Sequence, residues 1–436
     1  MRLIFYCIAF LCFTIRLVAE TPANKSTNEI AIKAGRLIDP VTGAVLQDQL
    51  ILVKGDTITS VGPQASTPIP AKAEIIDLRN AAVLPGLIDC HTHITTQPED
   101  YYADKFRRTP IDLAVTAHLY ARRTLEAGFT TCRDVGAAEL VDVALKKAIN
   151  AGKIPGPRLF VATLAIGATG GHADDLTGFS PYLRMAGFSS IADGVNEIRK
   201  AVRFQIRNGA DLIKMIATAG VLTEEESVGA PQYSLEEMKA MVDEAAMWGR
   251  KVAAHAHGTE GIKHAIRAGV ISIEHGSLLD DEGIQLMKDK GTYLVADIYN
   301  DDYILAEFSR LGYPEKIIEK ERKIGRAQRE NFERAVRAGV KIAYGTDAGV
   351  YPHGWNGKQF AHMVRWGMTP LQAIQSATTV AAELLGQAEH LGSLQPGRYA
   401  DVVAVEADPL KEISVLEDVK FVMKAGVIYK NTIKQR

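Results

Sequence analysis

Histidine occurs twice in the pattern His-x-His, at His91-Thr92-His93 and at His255-Ala256-His257. Alternate side chains of an extended strand share a face, so each pair can offer two imidazoles to one cation. A lone pair of this kind is a weak signal. Here each one directly follows an apolar run: Pro85-Gly86-Leu87-Ile88-Asp89-Cys90 leads into the first, and Ala253-Ala254 into the second. Three other runs carry related groups. Asp211-Leu212-Ile213-Lys214-Met215-Ile216 holds a lysine within an apolar strand, Ile273-Glu274-His275-Gly276 ends on a histidine, and Tyr344-Gly345-Thr346-Asp347-Ala348-Gly349 ends on an aspartate. Burial favours the neutral amine of Lys214. A neutral amine can add carbon dioxide to become a carbamate, a carboxylate able to bridge two cations. Imidazole, carboxylate and carbamate together suit zinc or a similar divalent ion.

Candidates for handling a substrate lie in the loops. Gly167-Ala168-Thr169-Gly170-Gly171-His172 follows the third run, and its glycines permit close backbone approach to a ligand. His172 is placed to donate to a substrate carbonyl or a developing oxyanion. Tyr233 and His353 are weaker candidates for gripping a terminal carboxylate, and Arg133 and Arg158 are alternatives that the sequence does not rank.

These groups need a scaffold that brings distant strand ends together. Eight apolar runs recur along the middle of the chain: 83–88, 129–133, 158–163, 212–217, 251–254, 270–274, 293–296 and 340–344. Longer amphipathic stretches separate them. Ser234 with Glu237 reads as a capping box, and Ala268-Gly269 and Ala338-Gly339 read as helix ends before a strand. The pattern predicts an α/β fold, a (β/α)8 TIM barrel with its catalytic groups at the C-terminal strand ends. No Gly-x-Gly-x-x-Gly follows the first strand to favour an open doubly wound sheet. Short strands and turn signals, such as Gly55-Asp56 and Ala425-Gly426, occupy both chain ends. They predict a small composite β-sandwich built from two separate segments, 29–83 and 390–436, with the barrel at 84–389 between them. The charge-dense stretch 307–337 reads as a helix with a solvated face that also shapes one wall of the site's mouth.

In combination these motifs make the chain resemble the amidohydrolase superfamily of metal-dependent hydrolases. Within it, the chain is most similar to the imidazolonepropionase-related branch, which contains Xaa-Pro dipeptidases, carboxypeptidase-like enzymes and ochratoxin-hydrolysing amidases. The resemblance extends to Gly397-Arg398-Tyr399-Ala400-Asp401. It implies a site for two divalent metal ions, with zinc expected. His91, His93 and Asp347 would hold the first ion and His255 and His275 the second, with carbamylated Lys214 and a hydroxide between them. His255 is chosen over His257 because the family's ligand is the first histidine of such a segment; His257 then faces the substrate or supports the ligands from behind. Asp347 would carry the proton from the attacking hydroxide to the leaving nitrogen. The implied substrate is the amide of a dipeptide or an N-acyl amino acid, ochratoxin-type amides included. Ring opening of a cyclic amide, as in imidazolonepropionase, is the alternative, and a non-catalytic barrel that only binds is the alternative of another kind. A homo-oligomer is also implied.

Composition sets the outer limits. Hydrophobic residues are 47% and charged residues 23%, ordinary globular values. Fifty Lys+Arg against 52 Asp+Glu leave no basic excess, which argues against nucleic acid as a partner. Met1-Arg2, the apolar stretch to Ile15 and the small residue Ala19 predict a signal peptide over 1–19, a linker over 20–28, and a secreted or periplasmic protein. No later stretch is long and apolar enough to span a membrane. Cys90 and Cys132 are expected to be buried free thiols, and Asn24-Lys25-Ser26 fits a glycosylation acceptor.

Overall fold

The computed structural model describes residues 29–99, 106–223, 225 and 227–433. The expected signal peptide, the linker and the Asn24 triplet lie outside the described residues. The chain opens with β1 (Glu29–Ile38), β2 (Val45–Lys54), β3 (Thr57–Pro63) and β4 (Glu74–Pro85). Seven short strands follow: β5 (Leu87–Thr92), β6 (Phe129–Asp134), β7 (Arg158–Val161), β8 (Ile213–Ile216), β9 (Val252–Ala256), β10 (Ser272–His275) and β11 (Tyr293–Val295). It closes with β12 (Val402–Val405), β13 (Phe421–Lys424) and β14 (Val427–Asn431).

The end strands form one seven-stranded sheet, ordered β14-β13-β12-β4-β1-β2-β3. The two chain ends therefore join by hydrogen bonds through the antiparallel β4–β12 pair, rather than facing each other as separate sheets of a sandwich. The sheet curls far enough for Thr57 to bridge Tyr399, and one apolar cluster takes Ile32, Ile51 and Leu78 from one end with Phe421 and Met423 from the other. Both predicted hairpins form, and Ala425 and Gly426 adopt the positive φ angles of 49° and 74° that their two-residue turn requires.

In the middle, β5-β6-β7 and β8-β9-β10-β11 are parallel sheets. Isolated parallel bridges extend them: Ile166 to Met215, Leu294 to Ile342, and Ala348 to Thr92. The predicted run 83–88 divides at Gly86, with β4 going to the end sheet and β5 to the central one. Gly86 is needed there because a Cβ would strike the side chain of Thr130. The eighth run contributes only bridges: Ala343 donates to Leu294 of β11, but the amide of Tyr344 goes to Ser376 outside the sheet. The helices behind these strands start and stop as expected. Ser234 and Glu237 form a reciprocal capping box, and Gly269 and Gly339 end their helices in the left-handed conformation.

The helix Glu315–Ala338 is amphipathic rather than merely solvated. Glu319, Lys323 and Arg326 face water, whereas Ile317, Ile324 and Phe332 are buried beside Lys320, Glu321 and Gln328. Cys90 and Cys132 are buried and unpaired. No helix among the described residues is long and apolar enough to cross a membrane.

Candidate metal centre

The C-terminal ends of the parallel strands surround a cavity of about 300 Å³. His91, His93, His172, Lys214, His255, His257, His275 and Asp347 all line it. Side chains as distant in the chain as His91 and Asp347 thus meet, as the strand-end reading anticipates.

Two groupings are tight enough for a cation. Donor atoms of His91, His275 and Asp347 lie within 4.8 Å of one another, as do those of His255, His257 and His275. His91 Nε2 and His93 Nε2 stand 3.3 and 3.2 Å from Asp347 Oδ1. Their Nδ1 atoms are already committed: that of His91 donates to Glu274 Oε2 at 2.9 Å, and that of His93 to the Gly136 carbonyl at 2.8 Å. His275 Nδ1 likewise donates to Asp297 at 2.9 Å. In the neutral rings the Nε2 lone pairs therefore face the cavity. Without an ion the rings of His91 and His93 hydrogen-bond to the Asp347 carboxylate, and a cation would replace those protons at the same Nε2 atoms. His255 Nε2 is buried with no hydrogen-bond partner among the described residues, as an unfilled ligand position would be. These residues fit a divalent ion.

The electrostatics agree. Burial and the surrounding histidines hold His255 and His257 well below the ordinary imidazole range, so both rings are neutral and can offer a lone pair to the cavity. Burial pushes the Asp347 carboxyl up, but His91 and His93 outweigh it and keep the group well below the usual carboxylate range. Burial pulls Lys214 down to about 8, with no hydrogen-bond or ion-pair partner to hold its charge among the described residues. His275 and Asp347 sit at φ 69° and 56°, a left-handed backbone unusual for such residues. This strain concentrates where two strands end and the side chains must turn inward.

Backbone spacing is tuned as well. A Cβ on Gly220 would come within 2.8 Å of His255 Nε2 and 2.5 Å of the His172 ring. Only glycine lets the chain after β8 pass so close. His172 stacks on His255 with ring centroids 4.2 Å apart, and both line the cavity.

The comparison with known proteins decides the family. The sequence profile described as "Amidohydrolase family" matches residues 82–429.

The chain belongs to the amidohydrolase family.

This amidohydrolase is 37% identical to an ochratoxinase of Aspergillus niger over 436 residues, covering 95% of this chain and 88% of that protein. Among solved structures it resembles a Xaa-Pro dipeptidase with methionine bound in its active site, with TM-score 0.88, 40% identity, and 93% and 100% of the two chains covered. It also resembles a prolidase complexed with N-methylphosphonate-L-proline, with TM-score 0.85, 30% identity, and the same coverage. The chain is thus a hydrolase of carbon–nitrogen bonds, close to ochratoxinases and Xaa-Pro dipeptidases.

Four of the residues considered for binding a carboxylate lie elsewhere. Tyr233 is buried and its hydroxyl donates to the Ala192 carbonyl at 2.8 Å, away from the cavity lining. His353 lies behind the His93 strand end, its Nε2 donating to the carbonyls of His93 and Thr96 at 3.1 Å. Arg133 is enclosed by Cys90, Ser272 and Glu274, and Arg158 binds Asp401 at 2.7 Å. In each case the polar atoms are already engaged in holding the scaffold. Sequence reasoning passed over Asp297, Asn300, Gln328 and Glu321, all of which line the cavity. Asp297 had a readable signal, an acid ending the run 293–296. Asn300 Nδ2 joins Asp297 at 2.6 Å to Asp347 at 3.1 Å, and nothing local in the sequence announces it.

Proposed function

We propose that this amidohydrolase cleaves the amide bond of a dipeptide or an N-acyl amino acid at a two-metal centre. The observation that carries the reading is the convergence of His91 and His93 on Asp347, beside His255, His257 and His275, around the unpaired Lys214. His91, His93 and Asp347 would hold one ion, and His255 and His275 the other. Carbamylated Lys214 would serve both, and zinc is the expected metal. When bound, the ions would polarise the scissile carbonyl and make a water acidic near neutral pH.

The chain's own groups supply the rest. Asp347 accepts the proton of the attacking water and returns it to the amide nitrogen as the C–N bond breaks, so that a neutral amine leaves. Asn300 steadies the other oxygen of that carboxylate at 3.1 Å. His172, stacked on His255, is positioned to donate to the carbonyl oxygen as it gains charge. His257 has its Nδ1 hydrogen-bonded to Ser277 Oγ at 2.8 Å and turns its other edge towards the substrate. Apolar side chains, Val135, Ile304 and Val350 among them, leave room for a hydrophobic substrate residue.

The bridges from Ile166 to Met215, Leu294 to Ile342 and Ala348 to Thr92 support closure of the parallel strands into a (β/α)8 barrel. Export rests on the sequence pattern of residues 1–19. Self-association is supported by the exposed stripe Ile111, Val115 and Leu119 on the helix Pro110–Glu126.

The test is direct. Purified protein loaded with zinc or manganese in bicarbonate should release amino acid from a library of Xaa-Pro, Xaa-Arg and N-acyl amino acids. Metal analysis of the same sample should give two ions per chain. Lys214→Ala should lose most of this activity and regain some of it with a small added carboxylic acid. Protein that binds no divalent ion and cleaves nothing in the library would sink the reading, and turnover of a cyclic amide alone would move it to the imidazolonepropionase type.

A further inference from the structure

Glu321 lies on the inner face of the helix Glu315–Ala338. It is only 4% exposed and borders the cavity. Its carboxyl has no hydrogen-bond or ion-pair partner among the described residues. Two cations on the inner side of the same helix are engaged elsewhere. Lys320 turns away to the carbonyls of Gly220, Thr223 and Glu225, at 3.0, 2.8 and 2.7 Å. Arg329 binds Asp301 at 2.9 Å and Asp302 at 2.6 Å. Ile304, Tyr313 and Ile324 line the same cavity and bring no donor of full charge.

A buried, unpaired acid is costly to keep in a fold. Burial, with Asp301 and Asp297 nearby, pushes Glu321 up to about 8. Gln328, on the same buried helix face, shows the contrasting case. Its amide is engaged by Asp297 at 2.9 Å, so it belongs to the support of His275. Glu321 supports nothing. A glutamate with no internal duty, aimed into the substrate space, is accounted for by a cation that arrives from outside.

We propose that Glu321 is a specificity-determining residue that receives a cationic nitrogen of the substrate. The preferred substrates are then amides bearing an ammonium or guanidinium group, and neutral acyl amino acids are the poorer class. The inference rests on the amide-hydrolase reading above and sharpens it. Two sources supply the same chemistry: the free α-amine of a dipeptide, or a basic side chain.

The experiment compares metal-loaded wild type with Glu321→Gln on alanyl-phenylalanine, propionyl-phenylalanine and propionyl-lysine. The readout is the kcat/KM of each cationic substrate divided by that of propionyl-phenylalanine. Losing a charged hydrogen bond should lower one of these ratios by about 10- to 100-fold in the variant. A fall for alanyl-phenylalanine identifies the α-amine, and a fall for propionyl-lysine identifies the side chain. Glu321→Asp, which keeps the charge, should recover some of the ratio, as a purely structural role would not. If both ratios stay within twofold, the proposal is overturned while amide hydrolysis stands. If wild type cleaves none of the three and none of the wider library, the underlying reading has failed and this inference falls with it.

Discussion

Two buried polar clusters meet at β5 and β10, and they are built on opposite terms. In one, Arg133 donates to Glu274 Oε1 at 2.8 Å, to Ser272 Oγ at 3.0 Å and to the Cys90 carbonyl, and Ser272 Oγ donates to the same Glu274 oxygen at 2.5 Å. Burial would raise the Glu274 carboxyl, but Arg133 and His91 win and hold it far below the usual range. Every strong donor there has an acceptor. In the other, at the cavity, His255 Nε2, the Lys214 amine and the Glu321 carboxyl are buried without partners among the described residues. The residue types are alike. The difference is closure: a satisfied network spends its charge on the fold, and an unsatisfied one holds it for something else. His91 spans both, with Nδ1 on Glu274 and Nε2 facing Asp347. The closed cluster thereby orients the open one.

The contrast can be broken from either side. Asp347→Asn in the open cluster should cost on the order of 10²–10⁴ in kcat/KM, the range for losing a positioned proton carrier. Its melting temperature should fall by less than that of the closed-cluster variant below, because the contacts of that carboxylate to His91, His93 and Asn300 are ones a bound ion would take over. Steady-state kinetics and a melting curve on one preparation check this, and a large drop in stability would place Asp347 among the structural groups. Arg133→Met in the closed cluster should act the other way. It leaves Glu274 charged and buried, which typically destabilises by about 3–5 kcal/mol. Denaturant unfolding measures it, and a change near zero would show that the network is not closed as described.

A smaller effect comes from His353, another closed group. Its Nε2 donates to the His93 and Thr96 carbonyls, and its Nδ1 meets the Thr124 hydroxyl at 3.1 Å. Burial lowers its pKa to about 4. The folded value is then below that of the unfolded chain, ordinarily about 6.5. Between these values the unfolded chain binds more protons, so the contribution is intact above about pH 6.5 and drains away as pH falls towards 4. The shift corresponds to at most about 3 kcal/mol. In metal-free protein the stability advantage of wild type over His353→Gln should shrink by up to that amount over this window. An advantage that does not change with pH would show that the ring already carries its charge in the fold.

The Glu321 carboxyl marks how far sequence reading reaches. Its stretch reads correctly as a charged helix that walls the site, yet Glu321 looks no different there from Glu319 or Glu330, which face water. Only packing the helix against the strand ends decides which glutamate is sealed in. Tyr233 and His353 show the converse. Their types suit a carboxylate grip, but Ala192, His93 and Thr96 had already claimed their polar atoms.

By itself the sequence determined what depends on near neighbours. The caps at Ser234 and Gly269, the hairpin at Ala425-Gly426, the parallel strand runs and the ligand types at their ends follow from spacing of a few residues. Tertiary structure decided what depends on partners far along the chain: Glu274 behind His91 across 183 positions, Asn300 between Asp297 and Asp347, and the fusion of both chain ends into one sheet. The physical reason is that backbone geometry is set within a turn or a hairpin. Whether a buried charge is satisfied is settled only once distant segments have packed.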